Sequence, residues 1–176
     1  MIGRCPFAMA RYKVWAAVIL LIVSVCFLAR LAFVRPELPA FGRQLWVVYF
    51  GSGEDAYLVP EPRVGPPAVE GRLEALVQGP RSQHLNPVLP PGTKVISYQI
   101  EGNLIIVNFN SALVENHPGG SASELITVYG LVNTLTEDPS LDFVQILVEG
   151  RRIMTIAGHV DVSQPLRRDE SLIGAR

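Results

Sequence analysis

Residues Val14–Ala29 read VWAAVILLIVSVCFLA, an unbroken apolar run with no charge. No other feature constrains the chain as strongly. Arg30 interrupts the run and LAFV (31–34) continues it. Together they give about 20 residues, enough to cross the hydrocarbon of a bilayer at about 1.5 Å per residue. Arg30, near one end, can carry its charge to the headgroups along its aliphatic stem. Trp15, near the other end, suits the interface. Arg4, Arg11 and Lys13 precede the run with no acid among them. By the positive-inside rule they hold residues 1–13 in the cytoplasm and direct the chain after residue 34 outward; Arg30 and Arg35 oppose this weakly. Two other fates compete with an uncleaved anchor over 14–34. A cleaved signal peptide would need a shorter apolar core and a small-residue cleavage site, and none precedes Arg30. A lipoprotein signal would use Cys26, but branched Val25 stands where a small residue is preferred. The expectation is a single-pass anchor, with lipidation at Cys26 as its main rival.

The remainder differs in charge. Ten basic residues follow position 35, against all sixteen acids, a formal charge of −6. Nucleic-acid affinity rests on Lys/Arg clusters. Arg151-Arg152 and Arg167-Arg168 are isolated pairs, read as solvated charge, so no nucleic-acid partner is expected. Both cysteines, Cys5 and Cys26, lie before residue 35. The outer part therefore has no disulfide and no thiolate metal site.

After a linker at 35–43, QLWVVYF (44–50) reads as a strand by its β-branched and aromatic content. Residues 51–55 form a turn, and 57–64 return as an edge strand limited by proline. Residues 68–78 read as a helix, with Val69, Leu73, Leu76 and Val77 on one face; Gly79-Pro80 stops it. A proline-stiffened loop spans 81–92. Residues 93–100 and 104–109 form a hairpin about Glu101-Gly102-Asn103, and LIIVNF (104–109) reads as a central strand. A second loop leads to a helix opened by Ser121-Ala122-Ser123-Glu124, the pattern of a capping box. Its apolar stripe is Leu125, Val128, Tyr129, Val132 and Leu135, and Pro139 ends it. FVQILV (143–148) is the last strand, residues 152–156 can pair back briefly, and 165–176 read as a polar tail. The expected fold is α/β of the α+β kind, with two helices on one face of a small mixed sheet. An α-β-β-α-β core at 44–164 would carry an extra N-terminal hairpin, preceded by one transmembrane helix.

Chemistry is sparse. Gly51-Ser52-Gly53 is shorter than a nucleophile elbow and sits in a hairpin turn. Gly119-Gly120-Ser121 precedes a helix, but no lysine follows as in a phosphate loop, and Ser121 is explained as a cap. His84, His117 and His159 have no partner at metal-ligand spacing. His159 and Asp161 would share a face if their segment were a strand, as a His–Asp pair or two ligands; a surface hydrogen bond is the plainer reading. Glu70 and Glu74 lie one helical turn apart, and no second pair is in view to converge on them. No catalytic, cofactor-binding or metal-ligating residue is assigned. The chain is expected to be no enzyme, with no cofactor and no small-molecule substrate.

Several stretches, in this order and spacing, carry a resemblance: VVYF (47–50), Gly79-Pro80, Pro90-Pro91-Gly92-Thr93, VNFN (107–110), Gly119-Gly120 followed by Glu124, and VNTLTEDPSLDFVQILVEGR (132–151). From Trp46 to about Leu172 the chain resembles the GerMN domain family of sporulation and spore germination proteins. The resemblance implies a fold similar to the ring-building motifs of secretion-system and sporulation-channel proteins. It also implies association with itself or with protein partners in a sporulation envelope complex, in the space between mother-cell and forespore membranes. No enzymatic activity is implied. The chain departs from the family layout in having one such domain where some members have two, and a poor lipobox where the best-known members are lipoproteins. An extracytoplasmic module binding cell-wall glycan is the alternative; it would need a groove lined by exposed Trp or Tyr. A small hydrolase using His159 and Asp161 is a third reading.

Overall fold

The computed structural model describes residues 20–24, 44–53 and 57–174. The chain divides into two compact units, Met1–Ala40 and Phe41–Arg176. In the first, residues 20–24 are helical and Leu20, Leu21, Ile22 and Val23 are exposed. Among the described residues no helix is long and apolar enough to cross a membrane. Apart from that one turn, the anchor expected at 14–34, the N-terminus at 1–13 and the linker at 35–43 lie outside the described residues.

The second unit holds two sheets and few helices. In the first sheet, β1 (Leu45–Ser52) is central. β2 (Leu58–Val64) runs antiparallel along one side, Gly51 opposite Leu58 and Leu45 opposite Val64. β3 (Leu85–Asn86), inside the loop expected at 81–92, pairs with Gly51-Ser52 on the other side. The second sheet has the order β4-β5-β6-β7. β4 (Val95–Glu101) and β5 (Leu104–Phe109) form the expected hairpin. β6 (Phe143–Val148) lies parallel to β5, and β7 (Arg151–Arg152) closes that side antiparallel. Parallel neighbours need a crossover. It contains the one-turn helix α2 (Ala112–Glu115) and the long helix α3 (Ser121–Leu135). Helix α1 (Val69–Gln78) connects β2 to β3 within the first sheet.

Here the expected single sheet with two helices on one face is corrected. The N-terminal hairpin joins β3 in a sheet of its own, and α3 packs against β1, α1 and β6. The reason lies in α3 itself. Val128, Leu131, Val132 and Leu135 are buried, and so are Thr127, Gly130, Asn133 and Thr134. A helix buried on so many sides needs cover from more than one layer. One core results, from Val48, Phe50 and Leu58 of the first sheet through Leu76 and Leu131 to Ile105, Phe109 and Ile146 of the second.

A second correction concerns residues 165–174, which are no free polar tail. Leu166 exchanges main-chain hydrogen bonds with Val144 at 2.9 and 2.8 Å, extending the edge of β6. Asp169 and Asn133 exchange a reciprocal pair at 2.8 and 3.0 Å. Ile173 then bridges Leu58 of β2, and Gly174 N–H donates to Leu58 C=O at 2.9 Å. Leu166, Leu172 and Ile173 pack on the core. Burying these three apolar residues is the favourable term that offsets ordering the segment.

The helix opening at Ser121 also departs from expectation. Gly120, at φ 84°, stands at the cap position and no side chain caps the first turn. Glu124 instead points into the protein and is 0% exposed.

Candidate functional site

Each residue singled out by sequence can now be placed. Glu124, half of the expected capping box, accepts main-chain N–H groups from a loop 30-odd residues on. Ile156 and Ala157 donate to Oε1 at 2.8 Å each. His159 N–H donates to Oε2 at 2.7 Å, with its ring Nδ1 3.3 Å away. Burial pushes the Glu124 pKa up; donors from Ala157, His159, Ile156 and Val160 together outweigh it, leaving the group below the ordinary glutamate value. Glu124 is thus a buried anion that fixes the loop after β7.

His159 and Asp161 do not form a pair. Their segment is a series of bends rather than a strand. Asp161 Oδ1 accepts Ser163 N–H at 2.9 Å, a local turn, while His159 belongs to Glu124. His117 Nδ1 accepts Gly119 N–H at 3.0 Å, so its Nε2 carries the proton and faces Thr127 Oγ1 at 3.1 Å. Thr127 hands on the chain by donating to Val88 C=O at 2.7 Å. Burial pushes the His117 pKa down, which suits a ring that must accept at Nδ1. His84 lies in the loop at β3, its main-chain N–H donating to Ser82 Oγ at 3.3 Å. Glu70 meets the Tyr98 hydroxyl, and Glu74 accepts Gln78 Nε2 at 2.8 Å; neither acid converges on a second one. Gly51 and Ser52 end β1, and Gly119 and Gly120 lead into α3. Among the described residues no group of three His, Cys, Asp or Glu is placed to hold a metal ion.

Two polar clusters escaped sequence reading. Tyr49 Oη donates to Glu137 Oε1 at 2.8 Å, and Arg168 lies 2.7 Å from both the Tyr49 hydroxyl and Glu137. Arg63, 4% exposed, pairs with Glu61 at 2.7 Å and donates to Gly79 C=O at 3.2 Å. Alternate strand positions and an arginine in the supposed tail were the only signals for either.

The two sheets finish differently at their outer strands. On β2, Pro60 and Pro62 lie opposite Tyr49 and Val47. Tyr49 N–H donates to Thr134 Oγ1 at 2.9 Å, away from β2. Tyr49–Pro60 is therefore a non-hydrogen-bonded pair, and the missing proline donors face outward. That edge is blunted, and Ile173 covers part of the rest. β4 has no such protection. It pairs only with β5, and among the described residues no strand lies along its outer edge. Ile96 and Ile100 are 52% and 47% exposed there, with Ser97, Gln99 and Glu101 also exposed. A bulge between Val95 and Ser97 interrupts one end only. A mostly regular, open strand with exposed isoleucines is a template for pairing with another chain. A groove of about 460 Å³ adjoins α1 and the proline loop, with Val77, Val88, Pro90 and Thr93 in its wall.

This arrangement is a small mixed α+β domain of the GerMN type. The first GerMN domain of the sporulation protein GerM from Bacillus subtilis superposes with a TM-score of 0.58 at 21% identity, covering 71% of this chain and 98% of that one. The tandem GerMN domains of the same protein give 0.58 at 20% identity over 74% of this chain, which spans 48% of the tandem chain. A Clostridium perfringens protein described as a lipoprotein gives 0.52 at 24% identity, covering 73% of this chain and 90% of that one. At the level of sequence, the profile of the Germane family, described as sporulation and spore germination, matches residues 47–153. The chain belongs to that family. No curated protein matches the sequence.

Proposed function

We propose that this protein is a membrane-anchored, extracytoplasmic interaction module that assembles with itself or with protein partners of sporulation or spore germination machinery, and that it is not an enzyme. The open edge of β4, with Ile96 and Ile100 exposed, carries the proposal, in contrast to the blunted edge of β2 in the other sheet. Strand addition there would supply main-chain hydrogen bonds, and the two isoleucines would supply apolar area. With the two-residue β3 and the one-turn α2 set aside, the α1-β4-β5-α3-β6 order supports a likeness to ring-building motifs. Family membership supports the sporulation setting. The apolar run at 14–34 supports anchoring, and the structural neighbour described as a lipoprotein supports a membrane-associated domain facing outward. A glycan-binding role has weaker support, since Trp46 is half-buried under Arg72 and Tyr49 is 5% exposed.

Sedimentation velocity of the full chain in detergent tests assembly. The expected result is a species larger than one chain, which Ile96→Lys with Ile100→Lys returns to one chain at unchanged Tm. A single chain at every concentration, with no complex formed on adding candidate sporulation membrane proteins, would contradict the proposal.

A further inference from the structure

The open edge of β4 carries a defined set of main-chain groups. Glu149 N–H donates to Phe109 C=O at 2.9 Å, so Phe109 turns its main chain toward the β6 side. Main-chain direction alternates along a strand. Ile105 and Val107 therefore also face β6, and Leu104, Ile106 and Asn108 face β4. Tyr98 and Ile100 lie opposite Val107 and Ile105. Both are non-hydrogen-bonded pairs, so the N–H and C=O of Tyr98 and Ile100 point out of the sheet, where no strand lies among the described residues. These two residues belong to the regular stretch beyond the bulge. They can exchange four hydrogen bonds with a strand that presents the same pattern.

β4 itself presents that pattern. Set antiparallel about Gln99, Tyr98 meets Ile100 of a second copy, and Ile100 meets the other Tyr98. Ile100 is half-exposed although its cross-strand neighbour Ile105 is fully buried, and a second Tyr98 beside it would cover it. On the opposite face Gln99 would stand beside Gln99 and Ser97 beside Glu101, with no like charges opposed. Charge favours the same order. Lys94 is exposed just before the strand and Glu101 ends it. Antiparallel pairing lays the basic end of each strand along the acidic end of the other; parallel pairing would set Glu101 beside Glu101, which is unfavourable.

We infer that β4 pairs with β4 of a second copy, antiparallel about a two-fold axis at Gln99, so that two four-stranded sheets join into one. The inference rests on β4 being the assembly edge and names what occupies it. A closed two-fold pair leaves no β4 edge free, so assembly through this edge stops at a dimer. A strand of seven residues covers little of the about 1,000 Å² that a stable interface needs, so association is expected to be weak and concentration-dependent.

The test is disulfide trapping in the full chain in detergent, with Cys5→Ser and Cys26→Ser removing the native thiols. Non-hydrogen-bonded partners across an antiparallel pair have Cα atoms about 4.5 Å apart, within reach of a disulfide. Gln99→Cys is expected to form a linked pair under mild oxidation at least tenfold faster than Ser97→Cys or Glu101→Cys alone. Mixing the last two variants is expected to restore the rate, because the two-fold sets residue 97 opposite residue 101. All three positions are exposed, so each variant is expected to keep the Tm of its parent. Equal rates at the three positions would overturn the inference. No linkage through Gln99→Cys, while a photoreactive residue at Ile100 captures a different protein in cells, would overturn self-pairing and leave β4 as the assembly edge. No product of either kind would overturn both.

Discussion

Glu124, on α3, accepts the main-chain N–H of His159 at 2.7 Å across 35 residues of sequence. With Ile156 and Ala157 on its other oxygen, one carboxylate fixes the whole loop after β7. Removing it leaves three donors without their acceptor, that of Ile156 buried and the other two partly so. Glu124→Ala is expected to destabilise the protein by about 3 kcal/mol, the scale for losing hydrogen bonds to a buried charge. Chemical denaturation at pH 7 measures this.

The same carboxylate sets an acid limit. Its folded-state pKa lies below the ordinary value because the main-chain donors outweigh the effect of burial, which acts the other way. A depressed carboxyl pKa contributes stability above the unfolded value, about 4.3, and loses it as pH falls through the folded one. Wild type is expected to lose stability below about pH 4.3 more steeply than Glu124→Gln. Tm measured from pH 7 to pH 3 on both proteins checks this; parallel curves would count against it.

At Gly130 the helix α3 packs tightly on the proline loop. A Cβ there would lie 2.6 Å from Val88 Cγ1 and 2.9 Å from Val88 Cβ. Val88 is β-branched and 2% exposed, so it cannot turn aside. Gly130→Ala is expected to cost about 2 kcal/mol, despite the better helix propensity of alanine. Adding Val88→Ala should recover part of the loss. A double-mutant cycle by thermal melting reads the coupling.

Arg168 joins the last segment to the first strand. It bonds the Tyr49 hydroxyl at 2.7 Å, Glu137 at 2.7 Å and Asn133 C=O at 3.0 Å. Arg168→Ala is expected to destabilise by about 2 kcal/mol. Deleting residues 165–176 should cost more, since it also uncovers Leu58 and the edge of β6. Equal stability of the truncated and full chains would show that the segment contributes nothing.

The choice between anchor and lipid is decided at one residue. Cys26→Ser is expected to leave the protein in the membrane fraction with no change in mass beyond the substitution. Release into the soluble fraction, or loss of an acyl-sized mass, would identify a lipoprotein.

Much of the fold was legible locally. VVYF falls in β1, LIIVNF is the inner strand β5, and the helices at 69–78 and 121–135 follow their apolar spacing except at Val77, expected on the buried face but 42% exposed. These features depend on period and turn chemistry within a few residues. What was missed depends on distant contacts. Ser121-to-Glu124 has the pattern of a capping box, and only the loop at 156–160 draws Glu124 inward. β3 is two residues long and carries no pattern of its own. The tail looked polar because Arg167 through Ser171 are polar, yet Leu166, Leu172 and Ile173 frame them and reach both sheets.

The central claim is assembly through β4, and cross-linking in the protein's own cells tests it most directly. A photoreactive phenylalanine analogue placed at Ile96 or Ile100 of the full chain is expected to yield a covalent product containing a second copy or a partner protein. At Arg151, exposed on β7 at the opposite side of the same sheet, it should yield none. Uncross-linked single chains at both isoleucine positions would contradict the account.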